Sequence, residues 1–132
     1  MPITFRALQI GRLYTRPELA KMWGYKGYQA LSRGAVTPSG THFIILFITG
    51  EKQSSLPQYR DELHEDKLVI EGETNHVADR RIVNAAASGD EIHLFYRAKH
   101  HEPFEYKGQI HLTAHLLRTN SPSHFEFSLT KT

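Results

Sequence analysis

The sequence predicts an α+β domain whose core is a mixed, mostly antiparallel β-barrel carrying two or three short helices. Three observations lead there. Some five or six short segments rich in β-branched and aromatic residues alternate with turn residues. Helical signals are confined to brief stretches near the N-terminus and around residues 78–87. The gaps between strand-like segments are too short for βαβ crossovers, which disfavours a dinucleotide-binding fold.

Taken in order, residues 3–10 read as a short strand. Leu13-Tyr14-Thr15-Arg16-Pro17-Glu18 is a helix start: Thr15 can cap the N3 amide, Glu18 can reach back, and Tyr14 can staple onto Leu19. Leu19, Met22 and Trp23 then share a face, and Gly24 stops the helix. Residues 25–34 read as a second short helix, and Thr37-Pro38-Ser39-Gly40 as a turn. His42 to Thr49 is the most apolar run and reads as a central strand. A polar loop from Gly50 to Pro57 leads into Tyr59-Arg60-Asp61-Glu62, and a short apolar strand ends at Gly72. A basic helix is expected over 78–87, then a Gly89-Asp90 turn and a strand over 91–97 with one polar face. His100 to Pro103 forms a loop. Phe104 to Tyr106 and Ile110 to Arg118 form a long strand pair kinked at Gly108, and His124 to Leu129 is the last strand.

Composition narrows the functions. At 132 residues the chain is long enough for one core, and no repeat, linker or low-complexity segment divides it. Net charge is +2, so an anionic partner has to be met by a local patch rather than by bulk charge. The absence of cysteine excludes disulfides, zinc–cysteine sites and a thiol nucleophile. No signal-peptide pattern opens the chain and no apolar run reaches membrane-spanning length, so a cytoplasmic location is expected.

The main candidate site is Tyr59 with Asp61 and Glu62. A carboxylate can accept from the amino group of cytosine while an aromatic ring stacks on the base face. The competing reading makes the two acids a solvated helix start or loop. Lys26, Arg33, Arg80 and Arg81 are the candidate contacts to a phosphate backbone. No metal and no cofactor are expected. His111 and His115 alternate with apolar residues as on a strand, where positions four apart share a face but stand about 13 Å apart. Glu65-Asp66-Lys67 and Glu105-Tyr106-Lys107 spell Glu-x-Lys, with Asp90 the upstream carboxylate for the second. They carry the rival reading of a small metal-dependent nuclease. No glycine-rich phosphate loop or Gly-x-Ser-x-Gly elbow is present. A chain without catalysis of its own is therefore expected.

Tyr59-Arg60-Asp61-Glu62, Val69-Ile70-Glu71-Gly72 and Asp79-Arg80-Arg81-Ile82-Val83-Asn84-Ala85 resemble, in that order, the motifs of SET- and RING-associated (SRA) domains. Over roughly residues 35–118 the resemblance covers the core, with the central strand Phe43 to Thr49 in place and a helical part over 14–34 ahead of it. Tyr14-Thr15-Arg16-Pro17-Glu18-Leu19 and Gly89-Asp90-Glu91-Ile92-His93-Leu94-Phe95-Tyr96-Arg97 are similar to stretches of SRA-like modules appended to bacterial helicases and modification-dependent restriction enzymes. The resemblance implies an SRA/PUA-like barrel spanning 1–132 that reads 5-methyl- or 5-hydroxymethylcytosine in duplex DNA. The base would be flipped into a pocket with Tyr59 as one wall, Asp61 or Glu62 as the acid, and Ile70 where the family commonly has a second aromatic. It further implies the sensor part of a restriction or defence system, alongside a nuclease or helicase. A barrel that binds RNA or phosphorothioate DNA is the alternative binding module.

Overall fold

The computed structural model describes residues 5–31, 34–38, 40–51, 62–64, 67–71, 79–99, 101–116 and 124–129. In chain order these form β1 (Leu13–Tyr14), α1 (Arg16–Met22), a 3-10 turn (Gln29–Leu31), β2 (Ala35–Val36) and β3 (Phe43–Glu51). There follow β4 (Glu62–His64), β5 (Lys67–Glu71), α2 (Asp79–Val83), α3 (Ala85–Ser88), β6 (Glu91–Lys99), β7 (Phe104–Leu116) and β8 (His124–Leu129). The fold is α+β with a mostly antiparallel sheet, as expected.

Local chemistry builds α1 as the sequence predicts. Thr15 Oγ1 accepts from the Glu18 amide at 3.2 Å, and Glu18 Oε1 accepts from the Thr15 amide at 3.2 Å. This reciprocal box satisfies two groups that a helix start would otherwise leave open. Tyr14 and Leu19 are buried in one apolar cluster, and Gly24 follows the C-cap Trp23 with φ +80°. Met22 departs from expectation: it is exposed, and Ala20 takes its place on the buried face. Two other expectations fail nearby. Residues 5–10 turn rather than extend, with the Leu8 amide donating to the Phe5 carbonyl, so that Phe5 and Leu8 both reach the core. Of the helix expected over 25–34, only the 3-10 turn forms among the described residues. Gly27 and Gly34 bound too short a stretch to offset helix nucleation.

The sheet runs β2-β3-β6-β7-β8-β5-β4, with β1 added beside β7. All pairs are antiparallel except β3 with β6, which lie parallel with Ile44 opposite Ile92 and Phe47 opposite Phe95. Short gaps between neighbouring strands therefore did not exclude a parallel pair. The crossover from β3 to β6 is not one helix but the whole stretch holding β4, β5, α2 and α3. As a parallel pair should be, β3 and β6 are covered on both faces. Ile44, Leu46 and Ile48 enter one apolar cluster, while Ile45 and Phe47 enter the other. The polar face expected of β6 is absent for the same reason, since Ile92, His93, Leu94 and Phe95 are all buried.

Strand β7 joins the two halves. Its first part pairs with β6 and its second with β8. Within the pairing to β6 the register skips: Phe95 lies opposite Tyr106 and Leu94 opposite Gly108. Gly108 has φ +91°, the left-handed conformation that such a bulge uses. The extra residue reverses the strand's inward face. Phe104 and Tyr106 point into the cluster under α1, whereas Ile110 points into the cluster holding Leu68, Ile70, Phe125 and Phe127. Among the described residues the sheet path ends at β2 and β4 and does not close into the barrel expected. Among the described residues, no helix is long and apolar enough to cross a membrane.

Candidate nucleic-acid interface

The strand β5 buries alternate residues because it lies between β4 and β8 over an apolar interior. Leu68 and Ile70 are buried against Phe127 and Phe125, their register partners, while Lys67 is exposed. Ile70 is 4% exposed, so its side chain packs within the core cluster. Glu62 opens β4 opposite Val69, so this acid stands at the start of a strand rather than of a helix. Among the described residues β4 pairs with β5 alone, at one end of the sheet path. Tyr59, Asp61 and Arg33 lie outside the described residues.

The remaining candidate cations separate. Lys26 and Arg80 are exposed. Arg81 is half-buried and committed inside the protein. Its guanidinium donates to the Thr41 carbonyl at 2.7 Å, the Phe43 carbonyl at 3.3 Å and Asp90 Oδ2 at 3.2 Å. Asp90 also accepts from Ser88 Oγ at 3.1 Å and has His42 Nδ1 at 3.4 Å. Burial pushes the Asp90 carboxyl up, but the Arg81 and Ser88 hydrogen bonds and the Arg81 charge outweigh it and hold it below its ordinary range. This knot straps α2 to the start of the parallel pair.

The groups behind the nuclease reading are also engaged. Lys107 pairs with Glu105 at 3.0 Å, and Lys67 pairs with Glu126 on β8 at 3.1 Å. His124 Nε2 lies 3.0 Å from the same Glu126, and the hydrogen bonds from His124 and Lys67 hold that carboxyl below its ordinary range. Glu65 and Asp66 lie outside the described residues. The two strand histidines do not share a face. A second register skip, with Leu112 opposite Phe127 and Ala114 opposite Glu126, sets His111 opposite Ser128 and His115 opposite Phe125. The expectation of one shared face fails because a bulge adds a residue to the count. Among the described residues, no group of three or more His, Asp or Glu side chains could hold a metal ion.

Two constellations have no counterpart in the sequence motifs. The first is a buried polar chain between β6 and β7. His93, 4% exposed, has Nε2 at 2.9 Å from Glu91 Oε1 and Nδ1 at 2.7 Å from the Tyr106 hydroxyl. A carboxylate only accepts, so Nε2–H donates to Glu91 and Nδ1 accepts from Tyr106. Phe5 lies flat on the imidazole, with centroids 3.6 Å apart and planes 2° from parallel. Burial lowers the His93 pKa against the opposing pull of Glu91. Burial, then the Glu91 charge, raises the Tyr106 phenol to about 12. A phenol that holds its proton this firmly, in a residue 5% exposed, is a poor nucleophile; the chain locks β6 to β7.

The second constellation is an arginine ledge. Arg97 of β6 lies 4.3 Å over the ring of Phe104, and Arg16 lies 4.9 Å over that ring and 4.7 Å over Phe47. Arg97 Nε donates to Thr49 Oγ1 at 2.8 Å, and a terminal nitrogen donates to the Glu102 carbonyl at 3.3 Å. Burial and then the Arg97 charge lower the Arg16 pKa to about 10, which leaves it charged at neutral pH. Burial also lowers Arg97, against the Glu102 charge. Both arginines stand in stretches that carry the family resemblance, but nothing in the sequence brings them to one ring. Compared with known proteins, the chain matches no family model and no curated sequence.

Proposed function

We propose that the chain is a non-catalytic module, SRA-like in kind, that binds duplex DNA carrying 5-methyl- or 5-hydroxymethylcytosine and flips that base out of the stack. The observation that carries this reading is the position of Glu62. It opens a strand at one end of the sheet path, immediately after Tyr59 and Asp61 in sequence. In sequence, a ring and an acid precede this strand and a second acid opens it, the residue types that suit a planar, donor-bearing ligand. Energetics are compatible: extruding a base costs a few kcal/mol, while one stacking contact and one base-edge contact return about 1–3 kcal/mol each. The buried Ile70 offers no second stacking wall, so discrimination would rest on Tyr59 and one acid. The reading extends to a cytoplasmic sensor working with a nuclease or helicase partner.

The test is a binding titration with methylated, hydroxymethylated and plain duplexes of one sequence. Tyr59→Ala is expected to remove about 1–3 kcal/mol from binding of the modified duplex alone. Only one of Asp61→Ala and Glu62→Ala should act the same way. Equal losses on plain and modified DNA would make the tyrosine structural and end the assignment. A base analogue that fluoresces on unstacking, placed at the modified position, reports flipping directly.

A further inference from the structure

We propose that residues 5–9 form a pH-sensitive strap, closed over the Glu91–His93–Tyr106 chain while His93 is neutral and released when His93 takes a proton. The device is independent of what the chain binds. The strap is fastened at both its ends beside this polar chain. Phe5 lies flat on the imidazole at 3.6 Å, and the Gln9 amide donates to the Tyr14 hydroxyl at 3.0 Å. Between them Leu8 enters the cluster under α1, and Phe5 also meets Trp23 and Phe43 edge-on at 5.6 and 5.0 Å. The enclosure fits the neutral imidazole and not the cation. Nε2–H donates to Glu91 and Nδ1 accepts the Tyr106 proton, so both ring nitrogens are matched only in the neutral form. A proton on Nδ1 would face the Tyr106 oxygen and oblige the hydroxyl to turn its own hydrogen away, beside the rings of Phe5 and Phe95. His93 faces Glu91 from β6, the Tyr106 phenol from β7 with Tyr14 of β1 acting on that phenol, Phe43 from β3 and Phe5 from the strap. Among these groups Glu91 supplies the counter-charge, and its side chain is 48% exposed, so water weakens its pull. Burial accordingly holds the His93 pKa below its ordinary value in the closed form. An imidazolium is drawn to the face of Phe5, but the same ring keeps water from it. Lifting the strap hydrates the charge, so the open form binds the proton better and acid shifts the population towards it.

Trp23, the sole tryptophan of the sequence, reports on the strap, because Phe5 packs against it and it is 2% exposed. Acrylamide quenching of its emission is measured on the full chain from about pH 8 to about pH 5, with far-UV circular dichroism as the folding control. Quenching is expected to rise severalfold below about pH 6.5 while the dichroism holds. His93→Gln, which keeps a polar side chain but cannot take the proton, should stay weakly quenched over the whole range. Phe5→Ala leaves the polar chain in place and should be strongly quenched at every pH. If His93→Gln does not fold, Phe5→Ala still decides, since quenching as weak and as pH-dependent as in the wild type means that the strap does not cover Trp23. Wild-type quenching that stays flat or falls in acid, the result of an imidazolium gripping Phe5 more tightly, overturns the switch. A rise that His93→Gln shares overturns it too, because another group then titrates. So does a rise that coincides with loss of the dichroism, which is unfolding of the whole chain.

Discussion

Arg80 and Arg81 are adjacent and chemically identical, yet their surroundings give them different work. Arg81 donates to two carbonyls and to Asp90, whose side chain is 8% exposed, whereas Arg80 faces solvent. Arg81→Ala would strand a mostly buried carboxylate and two carbonyls, and is expected to cost about 2–3 kcal/mol in urea unfolding. Arg80→Ala should change stability by less than about 0.5 kcal/mol and, if α2 faces DNA, lower the salt slope by about 1 unit. Equal stability losses would contradict the strap. His93 supplies the pH prediction. Its folded pKa lies below the unfolded value of about 6.5, so it takes nothing from stability above that pH. As pH falls below about 6.5 the unfolded chain takes the proton first, and stability is lost down to the folded pKa. Glu91→Gln removes the group that opposes the shift, so it should carry the loss to lower pH than in wild type. Urea midpoints followed downward from about pH 7 decide it; losses that stay parallel at every acid pH in wild type and variant would disprove the coupling.

At the scale of elements, the bulge in β7 decides the architecture. Gly108 stands in the left-handed region with φ +91°, where a side chain is strained whatever room it has. A Cβ there would come within 2.9 Å of Ile10 Cδ1, but Ile10 is 51% exposed and its tip can move aside. Backbone strain therefore outweighs the contact, and Gly108→Ala is expected to cost about 1–2 kcal/mol. If calorimetry finds no loss, the bulge does not depend on that conformation. The capping box of α1 is a smaller and more local device. Thr15→Ala should cost about 1 kcal/mol, since it leaves the Glu18 amide without its acceptor.

At the scale of the molecule, the sheet is folded on β7 with one apolar cluster between its halves and another beneath α1. The nuclease alternative has to be met here, because it needs carboxylates from separate elements to converge. Asp90 is held by Arg81 and Ser88, and Glu105 by Lys107. Duplex binding is accordingly expected to survive chelator, and added magnesium or manganese should produce no cleavage. Cleavage abolished by Glu105→Gln or Lys107→Ala would promote the nuclease reading over the binding module.

The features legible in the chain itself are those set by contacts a few residues apart. The capping box at Thr15, the turn at Gly89, the kink at Gly108 and the final strand all follow from local chemistry, and all stand where they were expected. The apolar run from His42 to Thr49 announced a central strand, and in the structure Ile44 to Thr49 are all buried. Local pattern could not announce its partner, because a parallel neighbour lies a crossover away and hydrophobic attraction has no direction along the chain. The second bulge, between Leu112 and Ala114, escaped for a related reason: one inserted residue reverses every later side chain, as His111 and His115 demonstrate. The candidate base pocket is legible only as a motif, since Tyr59 and Asp61 fall outside the described residues. The arginine ledge is the opposite case. Arg16 and Arg97 lie 81 positions apart by subtraction of their numbers, and only folding brings two cations to one ring. Tertiary structure decided that meeting because charge and stacking act through space, while sequence records only order.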